Sequence, residues 1–232
     1  FHRNYSLLNV KVVTVESIYP EFSSGKQDVT AIRNFIKYVY NNASTIDKAV
    51  RFVNLFGDAS YDFKNKTANN TNFVPIYHAK NFTSISESSF ATDDFYGIMN
   101  INGGNLDNRN DDLDIAVGRM IANSSQQADE LVNKVLEYYD NKSYGNWRNN
   151  FVIIADDADT TSDANLQIEI NQLADEIVSE KPFMNPKKIL LDSYVQETSA
   201  GGKRYPQARK DIYNAFENGA LIFNYLGHGG ED

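Results

Sequence analysis

Short apolar runs bounded by polar or turn-forming residues recur along this chain at 50–56, 151–155, 188–191 and 220–223. Their length and flanks suit strands buried on both faces. Between them lie segments with apolar residues at helical spacing: Val29, Ile32, Ile36 and Val39; Leu166, Ile170, Leu173 and Ile177; Ile212 and Phe216. Asp28 is placed to cap the first of these helices, Pro206 to open the last and Gly219 to close it. A chain that alternates strand and helix in this way builds a mostly parallel sheet with covering helices, an α/β fold.

Further elements fit the same scheme. The β-branched run Lys11–Val15 predicts a strand, and with the helix after Asp28 and the run 50–56 it gives a β-α-β succession. Asp114–Val117, closed by Gly118 and Arg119, predicts another strand, and Ala128, Leu131, Val135 and Tyr138 line a helix face. Residues 60–110 are rich in Asn, Thr, Ser and Asp. Within them Val74–Tyr77 and Phe95–Gly97 read as short strands or loop anchors. The polar stretch 141–150, with Gly145 and the sole tryptophan Trp147, marks a boundary between subdomains at 1–145 and 146–232. The second subdomain reads β-α-β-α-β and ends just past a strand.

Composition excludes several function classes. The chain has 232 residues, 41% hydrophobic and 23% charged, which is globular rather than disordered. No apolar run approaches the roughly 20 residues of a transmembrane helix. The net charge of −9 and the lack of basic clusters beyond Lys187-Lys188 and Lys203-Arg204 argue against a nucleic-acid partner. With no cysteine, disulfides and thiolate metal sites are excluded. The sequons at Asn65, Asn81 and Asn141 carry little weight in so Asn-rich a chain.

Chemistry concentrates at Asn224-Tyr225-Leu226-Gly227-His228-Gly229-Gly230, where one of three histidines follows an apolar run and sits between glycines. Past the C-terminal end of a parallel strand, a side chain faces the crevice in which open α/β sheets bind ligands. Flanking glycines let backbone approach a substrate and offer N–H donors to it. The plainer reading is a histidine in a glycine-rich turn. A Gly-x-Ser-x-Gly nucleophile elbow, which a lipase-like use of His-Gly-Gly requires, is absent.

Asp156, Asp157, Asp159 and Asp163 cluster after the run 151–155. Counted from Asp157, an EF-hand loop would need Gly and Glu where Ser162 and Ile168 stand, so that motif fails. An irregular calcium site, a solvated loop that caps the next helix, and a carboxylate that orients the His228 imidazole remain as readings. For the last role Asp157 is the first choice and Asp156 the second. Asp93-Asp94 reads as an acidic turn, and Asp107, Asp111, Asp112 and Asp114 as a solvated acidic loop. His78 has no partner at metal-ligand spacing, and His2 lies near the chain end.

Five stretches, in order, resemble the gingipain-type cysteine peptidases. They are Leu55-Phe56-Gly57-Asp58-Ala59-Ser60-Tyr61-Asp62, Asp93–Gly97, Ile115–Arg119, Tyr205-Pro206 and Asn224–Gly230. Order and spacing are most similar to the branch that acts as the sortase of bacterial type IX secretion. The resemblance implies a caspase-like three-layer α/β/α sandwich in two subdomains. It implies a first subdomain, 1–145, incomplete at its start, and a catalytic subdomain of which 146–232 is the first part. It further implies that His228 belongs to a Cys-His pair, that Gly229 gives an oxyanion N–H, and that an acidic residue near Asp157 orients the histidine. The cysteine would stand a few tens of residues beyond His228. The implied substrates are C-terminal sorting domains of secreted proteins, with an outer-membrane barrel protein as partner at the bacterial surface. No organic cofactor is implied. The rival expectation is a non-catalytic scaffold or adhesin on the same fold.

Overall fold

The computed structural model describes residues 1–79, 90–100, 112–158, 164–200 and 202–228. The chain divides into two compact units, Phe1–Tyr139 and Asp140–Asp232.

In the first unit, helices α1 (Val15–Ser23) and α2 (Val29–Asn41) precede strand β1 (Phe52–Phe56). Asp28 caps α2 through a hydrogen bond from Thr30 N–H, as its position in the sequence predicts. The predicted strand at Lys11–Val15 does not form: residues 11–14 are irregular and Val15 opens α1, with Thr14 in extended conformation at its cap. The physical reason lies further along, where Val15, Ile18, Tyr19 and Phe22 recur at helical spacing and pack into the core. That packing outweighs the strand preference of the run before it.

β1 pairs in parallel with β4 (Ala116–Met120), with Leu55 opposite Arg119. Leu55 and Ile115 pack against α1 and α2 in a core that also holds Ile32, Ile36, Phe95 and Tyr96. On the alternate positions of β1, Phe52 and Phe56 are exposed. A short antiparallel pair, β2 (Tyr77–His78) and β3 (Ala91–Thr92), lies within the polar middle of the chain. Helix α3 (Ser125–Tyr139) ends the unit.

Arg119 ties these parts together. Its guanidinium grips Asp93 with both carboxylate oxygens, at 2.8 and 2.7 Å, and donates to the carbonyls of Gly57 at 2.9 Å and Val74 at 2.7 Å. Its side chain is 8% exposed and that of Asp93 20%. The acidic turn at Asp93-Asp94 is therefore a structural anchor: Asp93 leads into a 3-10 turn, Asp94–Tyr96, and Tyr96 is fully buried beneath it. A planar fork that satisfies one carboxylate and two carbonyls is a task for arginine rather than lysine.

The second unit is a three-layer sandwich. Strand β5 (Asn150–Ala155) is central, with parallel neighbours β6 (Asn185–Leu190) and β9 (Ile222–Leu226) in the order β6-β5-β9. Residues 151–155 are all buried, which explains why this run is apolar without alternation. Phe151, Ile153 and Ala155 pack on Ile170 and Ala174 of helix α4 (Ala164–Glu180). Val152 and Ile154 pack with Ile189 on Ala208 and Ala215 of helix α5 (Pro206–Asn218). Each face of the sheet thus carries one helix. Gly219, at φ +76°, ends α5 in a conformation that L side chains rarely adopt. A small antiparallel hairpin, β7 (Glu197–Ser199) and β8 (Gly202–Arg204), follows β6. Among the described residues no helix is long and apolar enough to cross a membrane.

Arg119→Ala should lower the stability of the first unit by about 3 kcal/mol, since it leaves a largely buried Asp93 and two carbonyls unpaired. Denaturant unfolding of the variant and the parent protein measures it. A loss within about 0.5 kcal/mol, the ordinary scale of a surface substitution, would show that the network does not anchor the unit.

Candidate active site

Because β5, β6 and β9 are parallel, their C-terminal ends share one rim of the sheet. The ladder between β5 and β9 pairs Ala155 with Leu226 and then takes one further step, in which Asp156 N–H donates to the Leu226 carbonyl at 3.1 Å. That step carries the Asp156 side chain to the residue two places beyond the end of β9. One carboxylate oxygen, Oδ2, accepts from His228 N–H at 3.1 Å and lies 3.2 Å from His228 Nδ1. The other, Oδ1, accepts from Asp157 N–H at 3.1 Å. The Asp156 carbonyl is held by the Gln167 side-chain amide of α4 at 2.9 Å.

Burial works to raise the Asp156 carboxyl. The hydrogen bonds from His228 N–H, from the imidazole and from Asp157 N–H outweigh it and hold the group below its ordinary value. A carboxylate at Nδ1 favours the tautomer that carries its proton there, which leaves Nε2 as the nitrogen free to exchange a proton with another group. The imidazole side chain is 63% exposed and the Asp156 side chain 19%. The imidazole is accessible and its carboxylate partner is sheltered.

Two residues of the 224–230 stretch complete the arrangement, and neither is marked by residue type as a site residue. Tyr225 pairs with Ile154 in the ladder, and its hydroxyl donates to the His228 carbonyl at 2.6 Å. Burial first, and then the nearby Asp156 charge, push its phenol above the ordinary range. Gly227 is required by close approach: a Cβ there would fall on the Asp156 Cβ and lie 2.6 Å from the Tyr225 hydroxyl. Glycine beside a histidine at a strand end is the one trace of this in the sequence.

Asp157 is engaged elsewhere. Gln196 Nε2 lies 3.4 Å from its Oδ2 and donates to the Tyr205 hydroxyl at 2.8 Å. Tyr205 is pushed up to about 12 by burial and by its hydrogen bond to Asp157. Asp192, just after β6, accepts from Ala158 N–H at 3.3 Å. The carboxylate against the imidazole is therefore that of Asp156, while Asp157 faces Gln196 and Tyr205. Gly229, Gly230, Asp159 and Asp163 lie outside the described residues, as do Asn81, Asp107 and Asp111. His78 lies on β2, opposite Ala91, and His2 Nδ1 is 3.2 Å from Ser6 Oγ. Among the described residues no group of three or more acidic or histidine side chains could hold a metal ion. A concavity of about 390 Å³ in the first unit is lined by Asp58, Tyr61, Asn70 and neighbouring residues of the same loop. It contains none of the candidate site residues, so hydrogen-bond geometry rather than cavity size locates the site.

Two outcomes follow from this geometry. The Asp156 carboxyl carbon, followed by NMR, should titrate with a midpoint below 3.8, its ordinary value. His228→Ala, which keeps the backbone donor but removes the imidazole, should move that midpoint upward. A depressed carboxyl stabilises the fold in full above its ordinary value and ceases to do so as pH falls through its folded value, so this contact is lost only below about pH 4. A midpoint at or above the ordinary value would contradict the hydrogen bonds. Gly227→Ala should displace His228 from Asp156 and destabilise the second unit by roughly 1–3 kcal/mol, the usual cost of overpacking. An unchanged Asp156 titration in that variant would show that the close approach does not matter.

The crystal structure of dimeric latent PorU from Porphyromonas gingivalis is similar to the chain with a TM-score of 0.51 and 26% identity. The match covers 63% of this chain and 14% of that one. No curated protein matches. The model of peptidase family C25 matches residues 1–232, and the fold is the mixed α/β, caspase-like one expected of such peptidases. The chain belongs to peptidase family C25, the gingipain family.

Proposed function

We propose that this chain carries the histidine half of a Cys-His acyl-transfer centre, in a peptidase that acts as a sortase of type IX secretion. The observation that carries the reading is the exposed His228 imidazole at the sheet rim, with Nδ1 3.2 Å from the sheltered Asp156. In this reading the segment 146–232 is the first part of the catalytic subdomain, and 1–145 is the gingipain-like subdomain before it.

The chain has no cysteine, so the thiol must come from sequence outside these 232 residues. A thiol beside an imidazole gives up its proton to Nε2 and attacks a peptide carbonyl as thiolate. The imidazolium then protonates the leaving amine, and a thioester to the enzyme remains. Asp156 would keep Nδ1 protonated throughout and steady the imidazolium, and the Gly229 N–H would receive the oxyanion. The acyl group passes to an amine on surface lipopolysaccharide in a sortase, or to water in a simple peptidase. The substrates are C-terminal sorting domains of secreted proteins, the partner an outer-membrane barrel protein, and the location the bacterial outer-membrane surface. The likeness to PorU supports this choice within the family.

The absence of cysteine equally favours a second reading, a non-catalytic scaffold or adhesin on the same fold. One experiment separates them. The gene product containing this chain should release the C-terminal sorting domain of a secreted protein, and His228→Ala should lower the rate by at least about 10³-fold, the scale of losing a general base together with its nucleophile. Asp156→Asn should cost roughly 10²-fold or more through the wrong tautomer. The 232-residue chain by itself should turn over no peptide. Activity that survives His228→Ala would overturn the catalytic reading, and a gene product without activity or cysteine would establish the scaffold.

A further inference from the structure

His228 is held by hydrogen bonds far more than by packing. Its ring is largely exposed, so few neighbouring atoms restrain it. The Asp156 carboxylate takes both the backbone N–H and Nδ1. These contacts fix the residue at its start and at its ring, and leave its carbonyl side to a different group. That group is Tyr225, whose hydroxyl reaches over Gly227 and donates to the His228 carbonyl at 2.6 Å.

The reach is built into the strand. Tyr225 belongs to the β5–β9 ladder, so its backbone is fixed by the sheet. Gly227 has no side chain, and the space a Cβ would occupy there lies 2.6 Å from the hydroxyl and 2.8 Å from the ring carbon that bears it. Tyrosine three residues before the histidine and glycine between them form one device. The phenol crosses the gap that the glycine leaves.

A peptide group is planar, so a donor that grips its carbonyl also sets the direction of its N–H. The carbonyl of His228 belongs to the peptide whose N–H is the proposed oxyanion donor. We infer that Tyr225 is a positioning residue for acyl transfer, which aims this peptide through its hydrogen bond to the His228 carbonyl. The inference rests on the catalytic reading above. It divides the labour at the rim: Asp156 orients the imidazole and Tyr225 orients the backbone that follows it. Donors aimed where negative charge develops act on the transition state more than on substrate binding.

The test is Tyr225→Phe, which keeps the ring and removes the hydroxyl, in the gene product containing this chain. With a sorting-domain substrate, kcat should fall about fivefold, the effect of one neutral hydrogen bond, and KM should stay within about twofold. The His228 ring tautomer, read from imidazole ¹⁵N shifts, should not change, because Asp156 keeps its contact with Nδ1. Asp156→Asn should alter it. A Tyr225→Phe enzyme with unchanged kcat, beside an inactive His228→Ala enzyme, would overturn the inference and leave the catalytic reading standing. Full activity of His228→Ala would remove that reading first. Should Tyr225→Phe fail to fold, an experimental structure of the unsubstituted protein decides: a hydroxyl within hydrogen-bond reach of the His228 carbonyl upholds the inference, and one beyond about 3.5 Å overturns it.

Discussion

The end of the second unit depends on one carboxylate. Asp156 accepts from the backbone and the ring of His228 through a single oxygen, and its own N–H extends the sheet ladder to Leu226. These are reciprocal bonds between the ends of two parallel strands. They place a side chain that packing alone leaves largely in solvent. The central strand makes this affordable in physical terms: with β5 buried on both faces, the point where Asp156 leaves the sheet is fixed by apolar packing behind it.

A similar economy holds the first unit. Arg119 lies on β4 and gathers Asp93 with the carbonyls of Gly57 and Val74. Three segments far apart in sequence meet at one guanidinium. Buried charge is costly unless every donor finds an acceptor. The Asp93 carboxylate and the carbonyls meet that demand here.

Much of this was legible in the sequence. Apolar runs and helical spacings predicted β1, β5, β6 and β9 and the helices between them, because a strand buried on both faces must be apolar at successive positions. The rim position of His228 followed from a strand that ends before glycine. What was not legible arose from contacts distant in sequence or from offsets of one residue. Strand ends are uncertain by a residue or two, and side chains alternate direction along a strand. Asp156 is the last residue bound by the ladder, whereas Asp157 is past it and meets Gln196 and Tyr205. No local signal separates two adjacent aspartates in that way. The run Lys11–Val15 carried strand-forming residues, yet Val15 serves a helix whose apolar face continues to Phe22. The service of Asp93 to Arg119 spans 26 residues and leaves no periodic trace.

Trp147 is the only tryptophan, and it lies at the foot of the second unit. Its indole N–H donates to the Ser143 carbonyl at 3.0 Å, and its side chain covers Gly219, where a Cβ would come within 3.1 Å of it. Selective excitation of that indole therefore gives a fluorescent reporter of the sandwich that carries His228. The protein contains its own probe for following how this sandwich unfolds.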